Sequence, residues 1–312
     1  MSRDAFFDDP RDTRDASLGG AVRKHRPTTS DTRDGRNPAT ETLGRSDSLE
    51  VREQHPSRLD QRDASRRAYY VRDHAYLLRD AQMHSLEEIG KFRLIAVPDL
   101  ANYAYDGNCE RMEKDVRDLG RQFLVTDQTV EVSQKKTLRV VTLTKAGHRL
   151  LKNTNRLPDD QPIYQGLVKP RDIKHDADLY RLYQKEVGRI ERSGGRVIRV
   201  LLDYELMRNL NRDLALLGPE KDDPDRKTEV AKKHQLKVVN GKTPIPDLRV
   251  EYDTAELERR HIDLELATRD YGPRAMAEKA AAGFSLYGRP EDAPRLRRIL
   301  YEREITAPIL TL

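Results

Sequence analysis

Two neighbouring stretches, Ile245-Pro-Asp247-Leu-Arg-Val-Glu-Tyr252 and His261-Ile-Asp263-Leu-Glu265-Leu-Ala267, decide how the second half of this chain is read. In the first, Leu248, Val250 and Tyr252 alternate with Asp247, Arg249 and Glu251. In the second, Ile262, Leu264 and Leu266 alternate with His261, Asp263, Glu265 and Ala267. A period of two marks a strand with one face turned to a core. Asp263 and Glu265 therefore share a face, about 7 Å apart along the strand. If the two strands are neighbours, Asp247 joins them. The three acids then make an oxygen-rich site of the kind Mg²⁺ or Mn²⁺ needs when it also binds phosphate.

Working outward, the apolar run Val197-Ile-Arg-Val-Leu-Leu202 predicts a central strand buried on both faces. A helix over 175–192 and a Gly194-Gly195 turn precede it; a charged helical insertion over about 204–236 follows. A helix is predicted over 273–286, and the tail from Arg295 supplies a last helix and strand. Two residues interrupt the stripes of their own helices: Glu186 lines up with Leu179, Tyr183 and Ile190, and Lys279 with Ala275, Ala282 and Leu286. Glu and Lys are rarely fully buried unless paired, so both are candidates to join the strand acids. The alternative is that Lys279 snorkels outward and Glu186 caps the edge of its stripe.

Upstream, 65–82 reads as a helix carrying Tyr69, Tyr70, Ala75 and Leu78. Three further helices begin at Leu86, at Val97-Pro98 and at Gly107-Asn108. In the third of these, Met112, Val116, Leu119 and Phe123 form one narrow apolar stripe. Strand-like runs over 129–133 and 138–144, joined by Gln134-Lys135-Lys136-Thr137, complete a winged helix-turn-helix order. That order serves duplex DNA: Arg111, Lys114, Arg117 and Arg121 are the groove-facing candidates, and Lys135 and Lys136 the phosphate contacts of the hairpin. The competing use is protein contact, with Glu113, Asp115 and Asp118 diluting the positive field.

The 312 residues hold 58 Lys and Arg against 53 Asp and Glu, with 36% charged residues. A mean hydropathy of −0.85 is too polar for one uniformly packed globule. Residues 1–64, with 12 Lys and Arg against 13 Asp and Glu and few apolar residues, are read as a disordered polar leader. A winged-helix domain over 65–155, a Pro-containing linker over 156–173 and an α/β domain over 174–312 follow. No apolar run approaches the roughly 20 residues of a membrane span. The amino terminus has no secretory signature, so the expectation is cytoplasmic. The single cysteine, Cys109, forbids an internal disulfide and is read as a buried helix-start residue rather than a nucleophile.

The order helix, three strands, helix and a last strand, with Pro246-Asp247 and Asp263-Leu-Glu265, resembles the PD-(D/E)-x-K nuclease family over roughly 174–312. The resemblance implies that Glu186, Asp247 and Asp263 bind a metal ion and that Lys279 supplies the catalytic lysine, Glu265 standing where the consensus has Lys. With the winged helix and Ala277-Glu-Lys279-Ala-Ala-Ala-Gly-Phe-Ser-Leu-Tyr287, the chain looks like the replication-relaxation family of plasmid and mobile-element proteins. That likeness implies double-stranded DNA and other replication or mobilisation proteins as partners, and a metal-dependent nicking or relaxing nuclease. A catalytically inactive DNA-binding regulator on the same scaffold, and a purely protein-binding adaptor, are the other two readings.

Overall fold

In the computed structural model, residues 66–72, 74–133, 136–167, 172–218, 223–305 and 307–312 are described. The leader over 1–64 and Lys135 lie outside them. The chain is mixed α/β. Its first element corrects the expectation of a helix over 65–82. Strands β1 (Arg67–Val71) and β2 (His74–Leu78) form an antiparallel hairpin, with Tyr69 opposite Tyr76 and Arg67 opposite Leu78. The governing period is two, not 3.6: Tyr69, Val71, Tyr76 and Leu78 turn inward, while Ala68, Tyr70, Ala75 and Leu77 stay exposed.

Helices α1 (Asp80–Lys91), α2 (Val97–Ala104) and α3 (Cys109–Arg121) follow, with a two-residue strand β3 (Ile95–Ala96) between the first two. Asn108 caps α3 by accepting a bond from the Arg111 N–H at 3.0 Å. Strands β4 (Val125–Ser133) and β5 (Lys136–Leu143) pair antiparallel, and β3 adds to β5, so the sheet order is β3-β5-β4. Helix α4 (Lys145–Thr154) returns against them, and at Gly147 a Cβ would come 2.2 Å from the Leu124 carbonyl oxygen, so only glycine lets the helix approach.

Two expectations about α3 change. Met112, Val116 and Leu119 are buried, but Phe123 is 76% exposed. The helix stops at Arg121, Phe123 takes a left-handed φ of 57°, and Leu124 drops into the core in its place. Cys109 is exposed rather than buried.

The second sheet has the order β10-β9-β8-β7-β6. Helix α5 (Ile173–Arg192) leads into β6 (Arg196–Leu202), and α6 (Asp203–Ala215) and α7 (Pro224–Lys233) form the insertion. Strands β7 (Leu248–Asp253) and β8 (Arg259–Ala267) are antiparallel neighbours. Helix α8 (Pro273–Ala282) ends at Gly283, whose φ of 92° turns the chain. The chain after it becomes β9 (Ser285–Gly288), parallel to β8, so the helix is shorter than the expected 273–286. Helix α9 (Ala293–Glu302) and β10 (Ile309–Thr311) close the sheet.

Strand β6 is an edge strand, not a central one. Val200, Leu201 and Leu202 are nevertheless buried, and at Val200 the Gln161 amide takes the place of a neighbouring strand's backbone. It accepts from the Val200 N–H and donates to the Val200 carbonyl, both at 2.9 Å.

The described residues belong to one compact unit. One apolar cluster runs through it, joining Leu78, Phe92 and Leu119 to Tyr180 and Tyr183 of α5 and to Val200, Val250 and Leu264 of the larger sheet. Phe92 meets Tyr180 edge-on at 5.2 Å between ring centres. That cluster holds residues from both sides of 156–173.

Candidate functional site

The register of β7 and β8 places Leu248 opposite Leu264. One step further, where the ladder runs out, Asp247 and Glu265 cap each other's strands. The Leu266 N–H donates to Asp247 Oδ2 at 2.8 Å, and the Asp247 N–H donates to Glu265 Oε2 at 3.2 Å. Glu265 is fully buried and also accepts from the Tyr271 hydroxyl. Lys279 reaches in from α8, with Nζ 2.8 Å from Glu265 Oε1, a bond to the Ile245 carbonyl at 2.6 Å, and the Phe284 ring beneath it at 5.4 Å. The inward turn expected of Lys279 is thus explained by a paired charge rather than by snorkelling.

Burial, and after it the negative field of Asp247, push the Glu265 carboxyl up to about 7 in spite of Lys279 and Tyr271. On the other side of Asp247 stands His175, near the start of α5, with Nε2 3.3 Å from Asp247 Oδ2 and Nδ1 3.5 Å from Asp176 Oδ1. Burial works against its charge, but the hydrogen bonds and fields of Asp176 and Asp247 outweigh it and push the imidazole up to about 10. Arg93, from the turn after α1, closes the cluster by bonding Asp203 at 2.7 Å and Asp176 at 3.4 Å. Asp203 in turn donates its N–H to the Asp247 carbonyl at 3.0 Å.

The other two expected acids stand elsewhere. Asp263 shares a face with Glu265 but is taken by Arg249, directly opposite on β7, through bonds of 2.6 and 2.9 Å. Glu186 is fully buried, as its stripe requires, yet it lies on the other side of the sheet. Its partners are Arg189, at 2.7 Å, and the Tyr287 hydroxyl. Tyr287 pairs with Leu266 and packs into the α5 cluster, whereas Leu286 pairs with Glu265 and faces the opposite way. So Asp247, Glu265 and Lys279 come together, and Asp263 and Glu186 do not join them. Among the described residues, no group of three or more His, Cys, Asp or Glu is arranged to hold a metal ion.

Sequence reading missed His175, Tyr271, Arg93 and Asp203, because each reaches the cluster from a different loop or helix end. One signal was present: Arg249 alternates on the same face as Asp247, and a cation there had to meet an acid across the ladder.

A second surface lies on α3. Lys114, Arg117 and Arg121 are exposed, Arg111 is half-buried, and Lys136 is exposed at the start of β5. Two of the acids expected to dilute this charge are held by cations outside the face, the third pairs within it, and Glu110, one turn before Lys114, is exposed. Asp115 is fully buried and bound by Arg79 and by the Tyr105 hydroxyl at 3.2 Å. Glu113 is clamped by Arg139, one contact being 2.9 Å, and Asp118 pairs with Arg121 at 3.3 Å. Such a face can hold a polyanion.

Comparison with protein-family models, characterised proteins and solved structures returns no match for this chain. Among the described residues no helix is long and apolar enough to cross a membrane.

Proposed function

We propose that this chain is a duplex-DNA-binding protein of the replication-relaxation type, using α1–α3 and the β4–β5 hairpin as a winged helix. The observation that carries the reading is the row of cations on α3: Lys114, Arg117 and Arg121 face solvent, Arg121 with Asp118 at 3.3 Å beside it, while Glu113 and Asp115 are held by Arg139 and Arg79. Basic side chains on the exposed face of a third helix are what a major groove meets. Binding to a labelled duplex, followed across salt, tests it. The affinity should fall with a log-log slope near −0.9 per neutralised phosphate, and a Lys114→Ala, Arg117→Ala double variant should flatten that slope by about two contacts. Absence of binding to any duplex at low salt would leave the protein-adaptor reading.

The sequence of α5, β6, β7, β8, α8 and β9, with β9 parallel to β8, supports a PD-(D/E)-x-K type of core. In this reading Glu265, not Asp263, is the second carboxylate, and Lys279 is the lysine. Asp247 and Glu265 fit Mg²⁺ or Mn²⁺ as a pair of hard oxygen donors, the remaining positions falling to water and phosphate oxygens. A bound ion would polarise a phosphodiester there. Lys279 holds positive charge beside Glu265, Tyr271 orients that carboxyl, and His175 orients Asp247. Metal-dependent nicking of plasmid DNA, lost in Asp247→Asn, tests catalysis.

One observation favours the silent scaffold instead: His175 and Lys279 already neutralise the two acids. A protein that binds DNA but never nicks it with Mg²⁺ or Mn²⁺ would select that reading.

A further inference from the structure

The hairpin ahead of α1 plays no part in the winged helix, yet it presents an unusual outer face. Ala68 pairs with Leu77 and Tyr70 with Ala75, so these four side chains share one side of the ribbon. Tyr70 is 72% and Leu77 51% exposed. Beside them, a groove of about 430 Å³ lies between the hairpin and the end of α3, lined by Arg66, Ala75, Leu77, Asp118, Arg121 and Gln122. Phe123 follows Gln122, 76% exposed, in the left-handed conformation that closes α3.

We infer that this outer face is a stacking platform for unpaired DNA, continuous with the duplex-binding surface of α3. Three features select that occupant. Tyr70 and Phe123 offer π-faces, which stack on bases of any sequence. Arg66 and Arg121, both exposed, line the groove beside this face, as phosphate contacts require. Among the described residues lining the groove Asp118 is the only acid, and it is shared between Arg121 at 3.3 Å and Arg79 at 3.8 Å. A base inside a duplex has its faces hidden by its neighbours, so the nucleotides that reach Tyr70 are unpaired ones next to the duplex on α3.

The proposal rests on the DNA-binding reading of α3, and the test separates the two. Fluorescence anisotropy with the full chain compares a blunt duplex with the same duplex carrying a single-stranded thymine arm. Wild type should prefer the armed probe by about tenfold or more, the scale of one stacked base. Tyr70→Ala, at an exposed position, should remove that preference and leave blunt-duplex affinity unchanged; Tyr70→Phe should restore it. The Lys114→Ala, Arg117→Ala double variant should weaken both probes together. Wild-type binding to the blunt duplex with no arm preference, or equal losses on both probes in Tyr70→Ala, would overturn the platform and leave α3 standing. No binding to either probe would remove both. A concentration-dependent dimer dispersed by Tyr70→Ala would show the face to be a self-interface and overturn the proposal.

Discussion

Arg249 and Asp263 face each other across β7 and β8 with two bonds, at 2.6 and 2.9 Å, and both side chains are nearly excluded from water. Arg249 also donates to the His234 and Gln235 carbonyls, at 2.8 and 3.2 Å, which ties the insertion to the sheet. Asp263→Ala leaves a buried guanidinium without its counter-ion and should lower unfolding free energy by about 3–5 kcal/mol. Urea denaturation measures this. Asp247→Asn, which keeps the size of a partly exposed side chain, should cost much less. Equal losses would mean that Asp263 is no more structural than Asp247.

His175 should remain an imidazolium at pH 8, which its ring ¹⁵N shifts report directly. Its folded value lies near 10 against an ordinary 6.5, so the folded state holds a proton that the unfolded chain releases. The stabilisation is complete below about pH 6.5 and is lost as pH rises through about 10. Comparing urea midpoints of wild type and His175→Gln from pH 6 to 10 should show the gap between them closing as pH rises.

Helix α3 is anchored by a polar chain beneath its cationic face: Ser85 donates to the Tyr105 hydroxyl at 2.7 Å, Tyr105 donates to Asp115 at 3.2 Å, and Arg79 completes it. Asp115→Ala should cost about 3–5 kcal/mol of stability, because Arg79 is buried with it. Lys114→Ala, one residue away and exposed, should change stability by no more than about 0.5 kcal/mol. Thermal unfolding of the two variants separates anchoring from surface charge.

Phe123→Gly should raise stability by about 0.5–1 kcal/mol, since glycine takes a φ of 57° without strain and little packing is lost from a side chain 76% exposed. A fall in stability would show that the ring makes contacts that outweigh its backbone.

Much of this architecture was legible from period alone. The alternation in 247–252 and 261–267 predicted β7 and β8, and the stripe of Met112, Val116 and Leu119 predicted the buried face of α3. Reading failed where period is short or borrowed. Arg67–Leu78 holds two five-residue strands, and its many charged neighbours resemble a helix when counted over a longer window. Phe123 fits the helical spacing but falls one turn too late, after the chain has reversed. At the acidic cluster, alternation correctly put Asp263 and Glu265 on one face, yet a shared face does not make a shared site. Register decides that Asp263 meets Arg249, and strand ends decide that Glu265 meets Asp247. Glu186 was turned inward as expected, but no pattern in a single helix says which side of a sheet it will cover.

The apolar cluster that links Leu78 and Phe92 to Tyr180, Val200 and Val250 also bears on how the chain is made. Helices α1–α3 leave the ribosome well before β6–β8, and Phe92 lacks the Tyr180 and Tyr183 rings it packs on until α5 arrives. During that interval the nascent three-helix segment carries a wet, sticky flank, so its final cohesion is gained only when the later strands are delivered. Pausing translation between β5 and α5 should therefore prolong chaperone occupancy, and a fragment ending there should be prone to precipitation.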